Sequence, residues 1–209
     1  MPVSRRLELV NYSAAHGSLV IEDDFENEFV YLQKPTPSLF GLAGGQNVVY
    51  LGTFSRLLLP SIRISFMVLP PELSALYRTK ADQYNQTASK AEQIALCQFI
   101  RDGHLAAQTR KLKRLYSVKL KALRSAVREV FGKDSQIQTG AAGTSLALTL
   151  STTLTWQELQ KKAQTNGLRL QLLREAPGKI TLILSCSSMP VADFVPACKL
   201  LKDISQIQN

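Results

Sequence analysis

The chain has 209 residues, 45% of them hydrophobic and 20% charged, with a net charge of +9. This balance excludes a disordered chain and supplies enough apolar surface for one sizeable core or two small ones. No apolar stretch approaches the roughly 20 residues of a membrane-spanning helix. The start, MPVSRRLELV, has two arginines but no hydrophobic signal core behind them, so a cytoplasmic location and no membrane partner are expected.

In chain order, RRLELVNYSAAHG reads as a helix closed by Gly17. SLVIEDD (18–24) reads as an apolar strand whose far end carries three acids, and NVVYLGTF (47–54) and RISFMVLP (63–70) as two more strands. Their near-continuous apolar character predicts a parallel or mixed sheet buried on both faces. Residues 30–46, rich in Pro, Gly and Gln, predict a loop with at most one helical turn. Helices follow. PPELSALYRTKADQ opens on proline, and SKAEQIALCQFIRDG has Ser89 and Glu92 at capping-box spacing.

Between Leu105 and Gly132, Lys or Arg occupies positions 110, 111, 113, 114, 119, 121, 124 and 128 against the single acid Glu129. Leu112, Leu115, Tyr116, Leu120, Leu123, Val127 and Phe131 recur at three- and four-residue steps, which predicts a long amphipathic helix with a basic outer face. Such a face is read as solvated. Beyond it, SQIQTGAAGTSLALTLS predicts a strand interrupted by small residues, TWQELQKKAQTNG a capped helix, LRLQLLR and KITLILSCSS strands, and PVADFVPACKLLKDISQI a closing helix. The whole is α/β: a sheet-and-helix half over 1–108, then the long helix and a smaller α+β half over 109–209.

Three cysteines are too few and scattered for a disulfide framework, and neither they nor His16 and His104 have zinc spacing. No metal site is expected. Cys97, beside Leu96 and Phe99, reads as a buried small hydrophobe. Cys186 lies near the end of a strand with no adjacent base to activate it, and Trp156 reads as packing. GAAGTS (140–145) lacks the Walker lysine and reads as a small-residue stretch allowing close backbone approach. Glu26 and Glu28 are placed on an exposed turn.

Functional groups in parallel sheets gather beyond the carboxyl ends of the strands. Here those ends hold Glu22, Asp23 and Asp24 on one strand and Thr53, Ser55 and Arg56 on the next, with Arg63 just downstream. Two readings stand on the residues alone. Hydroxyls and a guanidinium could bind a phosphate while a carboxylate pairs with a protonated ring nitrogen, or Asp23 could form a structural ion pair with Arg56 or Arg63.

VIEDDFENEFVY, followed about 25 residues later by VVYLGTFSRLLLPSIRISFMVLPPEL, resembles the aminotransferase-like domain of the MocR subgroup of GntR-type transcriptional regulators. The corresponding family text is E-D-D-Y-x-x-E-F, then Y-x-G-T-F-S-K, then P-x-L-R-x-x-Y. The similarity continues through FIRDGHLAAQTRKLKRLY and weakens after residue 140. It implies the C-terminal part of a fold-type I pyridoxal-phosphate (PLP) transferase large domain, mainly parallel sheet with helices, followed by a small α+β domain. It also implies a homodimer with the pocket at the subunit interface, and a possible small-molecule effector.

Carried over by position, the resemblance implies a PLP pocket with departures. Asp23 matches the aspartate that pairs with the pyridine nitrogen. Phe25 stands where a tyrosine usually binds the ring's 3-hydroxyl. Thr53 and Ser55 match hydroxyl positions near the phosphate, and Arg63 matches the phosphate-binding arginine. Arg56 falls on the lysine that forms the internal Schiff base, and Ser188 on the arginine that binds the substrate α-carboxylate. The family's winged-helix domain, through which alone DNA is expected to be bound, and the first part of its large domain lie outside this chain. Since arginine stays protonated and is a poor nucleophile, no catalytic residue is assigned and transamination is not expected. The sequence therefore reads as a degenerate effector-binding or dimerisation domain, holding PLP non-covalently if at all. The alternatives are a working PLP-dependent aminotransferase and a ligand-free remnant of one.

Overall fold

The computed structural model describes residues 1–24, 36–58, 60–85, 87–132, 135–139, 143–187 and 189–205. The chain divides into two compact units, the boundary of the main segments falling after Lys111 inside a long helix. Among the described residues no helix is long and apolar enough to cross a membrane.

The N-terminal unit is built on a three-stranded sheet. Helix α1 (Val3–Ala15) is followed by β1 (Val20–Asp23), the single turn α2 (Leu39–Leu42), β2 (Val48–Thr53) and β3 (Ser65–Val68), in sheet order β1-β2-β3. Strands β1 and β2 run parallel with Val20 opposite Val48 and Asp23 opposite Leu51, whereas β3 runs antiparallel to β2 with Phe66 opposite Gly52. Gly17 takes φ +58 after α1, a left-handed conformation that suits glycine and lets the chain turn into β1. Gly52 has a different reason: the Phe66 ring lies across its Cα, in the space a Cβ would need. Phe66 also packs against the Phe54 ring, with centroids 5.2 Å apart.

The expected burial on both faces of this sheet does not hold within the chain. Val48 and Val49 are buried, but Ile21 is 66% and Met67 58% exposed, and every residue of β3 is exposed. The sheet is mixed, and among the described residues β3 is an edge strand with no neighbour on its outer side. An apolar run signals the capacity to be buried and does not itself supply the layer that buries it.

The buried polar centre of this unit is Glu22. Its Oε1 accepts hydrogen bonds from Arg6 Nη1 at 3.0 Å and from the Leu39 backbone N–H at 2.9 Å, and its Oε2 accepts from the Phe40 N–H at 3.0 Å. One carboxylate thus joins α1 to β1 and satisfies two open donors at the start of α2. Ser38 caps the same turn by accepting from the Gly41 N–H.

Helices α3 (Pro71–Lys80) and α4 (Lys90–Arg101) complete this unit, α3 opening on Pro71 and α4 on Ser89, whose hydroxyl accepts from the Glu92 N–H. Cys97 corrects the sequence reading: Leu96 is the buried residue of α4 and Cys97 is exposed. Adjacent helix positions differ by about 100°, and here that step turns Cys97 away from the side on which Leu96 is buried. The isolated histidines are in ring contacts, His16 stacked on Tyr12 and His104 against Phe99.

Helix α5 (His104–Phe131) leads into the C-terminal unit. The predicted interrupted strand is two strands, β4 (Gln136–Thr139) and β5 (Ser145–Ser151), paired antiparallel; residues 140–142 lie outside the described ones. With α6 (Trp156–Thr165), β6 (Gln171–Ala176), β7 (Lys179–Ser185) and α7 (Phe194–Ile204), they form a four-stranded antiparallel sheet in order β4-β5-β7-β6. Alternation sorts its faces. Leu146, Leu148, Leu150, Ile180 and Leu182 are buried in the core with Leu120, Leu123 and Val127 of α5, Leu159 of α6 and Phe194 of α7. On the other face Thr149 and Thr181, paired in register, share a 3.0 Å hydroxyl hydrogen bond.

Two polar devices fix the ends. Thr155 and Glu158 form the full capping box of α6. Buried Thr152 donates to the Ser205 carbonyl at 2.7 Å and accepts from the Leu154 N–H, tying the end of α7 to the end of β5. Hydrogen bonds from Thr155 hold the Glu158 carboxyl below the ordinary carboxylate range.

Glu22→Ala strands the Leu39 and Phe40 amides and the Arg6 guanidinium together. It is expected to lower unfolding stability by about 3 kcal/mol, with Glu22→Gln intermediate, as measured by urea denaturation. The cysteines make a second prediction. Burial pushes the Cys198 thiol up to about 11 and raises that of Cys186. A thiol reagent at pH 8 should therefore label Cys97 in the native chain and all three cysteines in denaturant. Because the unfolded chain releases these protons first, stability should fall as pH rises from the ordinary thiol value of about 8.5 towards 11.

Candidate functional site at the strand ends

The parallel register of β1 and β2 decides which strand-end side chains can meet. Asp23 is opposite Leu51, and Thr53 lies two residues further along β2, so Asp23 and Thr53 share one face of the sheet. Glu22 projects from the other face. Asp23 is exposed and Glu22 buried, so the buried carboxylate at this end of the sheet is Glu22, and its cation is Arg6 rather than Arg56 or Arg63. Asp24 follows on the Glu22 side, where Tyr50 donates its hydroxyl to Asp24 Oδ2 at 2.7 Å. Asp23 is thereby left between two acids that are already engaged.

The chain leaves β2 through a tight turn whose geometry follows from a few contacts. The Phe54 N–H donates to the Ile64 carbonyl at 3.1 Å and the Leu58 N–H to the Phe54 carbonyl at 3.0 Å, closing one helical turn over residues 54–58. Leu57 and Ile64 are buried and anchor the two ends of this loop. Thr53 Oγ1 accepts from the Ser55 N–H at 3.2 Å and donates to the Ile64 carbonyl at 3.4 Å. Its hydroxyl hydrogen therefore holds the turn, while Ser55 and Arg56, both half-buried, stand on it just beyond the strand end.

Arg63 is the second candidate cation of this loop. It takes φ +46, one of two described non-glycine residues in the left-handed region, the other being Asn47. For a side chain with a Cβ this conformation is unfavourable and persists only where neighbours dictate it. Here the neighbours are the three-residue helical turn Pro60–Ile62 before it and buried Ile64 after it. The bend leaves Arg63 exposed at the start of the path back into β3.

The sequence-derived set thus divides. Asp23, Thr53, Ser55, Arg56 and Arg63 belong to one unit, on adjacent strand ends and one loop. Phe25 and Ser188 lie outside the described residues, as do Glu26 and Glu28. Two residues before Ser188, Cys186 is buried just after β7 and donates its thiol to the Thr144 carbonyl at 3.1 Å. That bond and the raised thiol identify it as a packed group. Glu22 was visible in the sequence as one of three consecutive acids; its structural role follows from strand alternation, which sets it on the face opposite Asp23.

As chemistry, the set offers one exposed carboxylate, one free-standing hydroxyl and two guanidinium groups, and no amine. It suits an anionic ligand carrying a cationic nitrogen, held by charge and hydrogen bonds. The donors fit a phosphorylated pyridine in kind. They do not fit its attachment through an imine, because no lysine stands at the turn after β2.

No protein-family model matches the chain. Over 206 residues it is 32% identical to the uncharacterized HTH-type transcriptional regulator YdeL of Bacillus subtilis, covering 97% of this chain and 44% of that protein. Over 173 residues it is 30% identical to the probable rhizopine catabolism regulatory protein MocR of Rhizobium meliloti, covering 83% of this chain and 35% of that one. The chain spans less than half the length of these curated relatives. Its fold matches the α-aminoadipate aminotransferase LysN of Thermus thermophilus, crystallised with N-(5'-phosphopyridoxyl)-L-leucine, at a TM-score of 0.77 and 24% identity, over 98% of this chain and 54% of that one. The order of strands and helices, the strand-end loop and these similarities agree: the chain is a fold-type I aminotransferase-like domain of the MocR-type regulator family.

Proposed function

We propose that this chain acts as an effector-binding and dimerisation domain of a MocR-like transcriptional regulator, with a degenerate PLP site that performs no covalent catalysis. The observation that carries the reading is Arg56, the third residue after β2, on the turn closed by Leu58 and anchored by buried Leu57. Covalent attachment at that position needs a neutral amine, and a guanidinium holds its proton throughout the working pH range. The position therefore keeps a cation and loses a nucleophile.

The remaining residues take binding roles. Ser55 and the guanidinium groups of Arg56 and Arg63 are suited to a phosphate. Asp23, exposed at the end of β1, is suited to hold a proton on a ring nitrogen facing it. Thr53 supports them by fixing the loop through Ser55 and Ile64. PLP, when bound in an enzyme, supplies an electron sink; a site without an attached amine retains the recognition half of that arrangement. Such a site reports the presence of a ligand without consuming it, which is what a regulator's sensing domain requires. Homodimerisation belongs to the same reading.

The test is a PLP titration of the purified chain beside its Arg56→Lys variant, followed by visible absorption, borohydride reduction and peptide mapping. The wild type should bind PLP without a reducible adduct in residues 47–70, and the variant should gain one at position 56. A reducible adduct on a single lysine of the wild type would overturn the loss of covalent chemistry. Absence of binding to both proteins would remove the ligand-sensing role and leave dimerisation, read from sedimentation, as the only function. Asp23→Ala should weaken wild-type binding by about tenfold, the scale of one charge-assisted hydrogen bond.

A further inference from the structure

Helix α5 carries a row of cations that the cofactor reading does not use. Within the C-terminal unit Arg114, Lys121, Arg124 and Arg128 are all exposed. Their separations of seven, three and four residues bring them to one side of a 3.6-residue helix. The row is about 21 Å long at 1.5 Å per residue. The opposite side of α5 is the packed one, with Leu120, Leu123, Ala126 and Val127 buried. Lys119, on that packed side, is engaged, its Nζ donating to the Ser187 carbonyl at 3.0 Å. The four cations of the row have no such engagement among the described hydrogen bonds, and neither ion pair found among the described residues involves α5.

Like charges three and four residues apart weaken a helix, and Glu129 is the single acid along α5. Nothing within the helix favours this arrangement. A linear polyanion would. Three of the four groups are arginines, whose planar forks match phosphate oxygens in pairs, and the hydroxyls of Ser117 and Ser125 lie along the same side, suited to the same oxygens. No aromatic side chain interrupts the row to anchor a protein partner.

We propose that this face of α5 docks the phosphate backbone of double-stranded DNA without reading its sequence. The sequence pattern alone left the row as a solvated face and confined DNA contact to a winged-helix domain. The structure adds its alignment on one exposed side and, among the described residues, the lack of internal partners. The proposal is independent of whether the strand-end site binds PLP.

The test is fluorescence anisotropy of the 209-residue chain with a labelled mixed-sequence duplex, titrated at several salt concentrations. Four phosphate contacts predict a slope of log affinity against log salt of about −3.6, or roughly a 150-fold loss between 50 and 200 mM salt. A quadruple variant, Arg114→Gln, Lys121→Gln, Arg124→Gln and Arg128→Gln, should abolish most of that slope. A control removing the charges of Lys161, Lys162, Lys179 and Lys199 should keep it, with helix content of both checked by circular dichroism. Equal loss in the two variants would overturn the proposal in favour of net charge acting generally. Competition by polyglutamate as effective as by DNA would overturn it in favour of an acidic protein partner. A wild-type slope near zero would overturn it without reference to any variant.

Discussion

The Glu22 carboxylate is the point on which the N-terminal unit turns. It lies on the buried face of a short strand, accepts a guanidinium from α1 and two backbone amides from the start of α2, and so ties three separate segments together. A buried carboxylate without partners would be far more costly than the burial of β1 could offset. Because strand side chains alternate, committing Glu22 to this side commits Asp23 to the other, where Thr53 also projects. The strand-end chemistry is in this sense a consequence of a structural ion pair one residue away.

The turn after β2 is held by burial at its two ends and by hydrogen bonds from its flanks. Leu57 and Ile64 hold the loop by burial, and Thr53 holds it by hydrogen bonds to both of its sides. None of these contacts involves the side chain at position 56. A lysine at that position can be a nucleophile and an arginine cannot.

The two units are stabilised by different means. The C-terminal unit has a closed core in which sheet, α6, α7 and the end of α5 exclude water from a continuous group of leucines, and its ends are fixed by Thr152 and the Thr155–Glu158 box. The N-terminal unit buries less of its sheet: Ile21 and Met67 remain exposed although each is as apolar as the core residues. Its ordering leans on polar devices, the Glu22 pair and the loop hydrogen bonds, and on the Phe66 ring lying over Gly52.

The sequence by itself determined most of the elements, their order and the identity of the strand-end residues. Periodicity, caps at Ser89 and Thr155, and Gly17 are local signals, and local signals survive in a one-dimensional reading. The motif around Arg56 was legible for the same reason, since its residues are contiguous. Only the tertiary structure decided the partners. Strand pairing set β3 antiparallel at an edge, split the 136–151 segment into two strands, and assigned Arg6, sixteen residues away in sequence, to Glu22 rather than Arg56 or Arg63 to Asp23. It also turned Cys97 outward beside buried Leu96. Each of these depends on which side of an element faces a neighbour distant in sequence, and that is fixed by packing, not by the residues on either side.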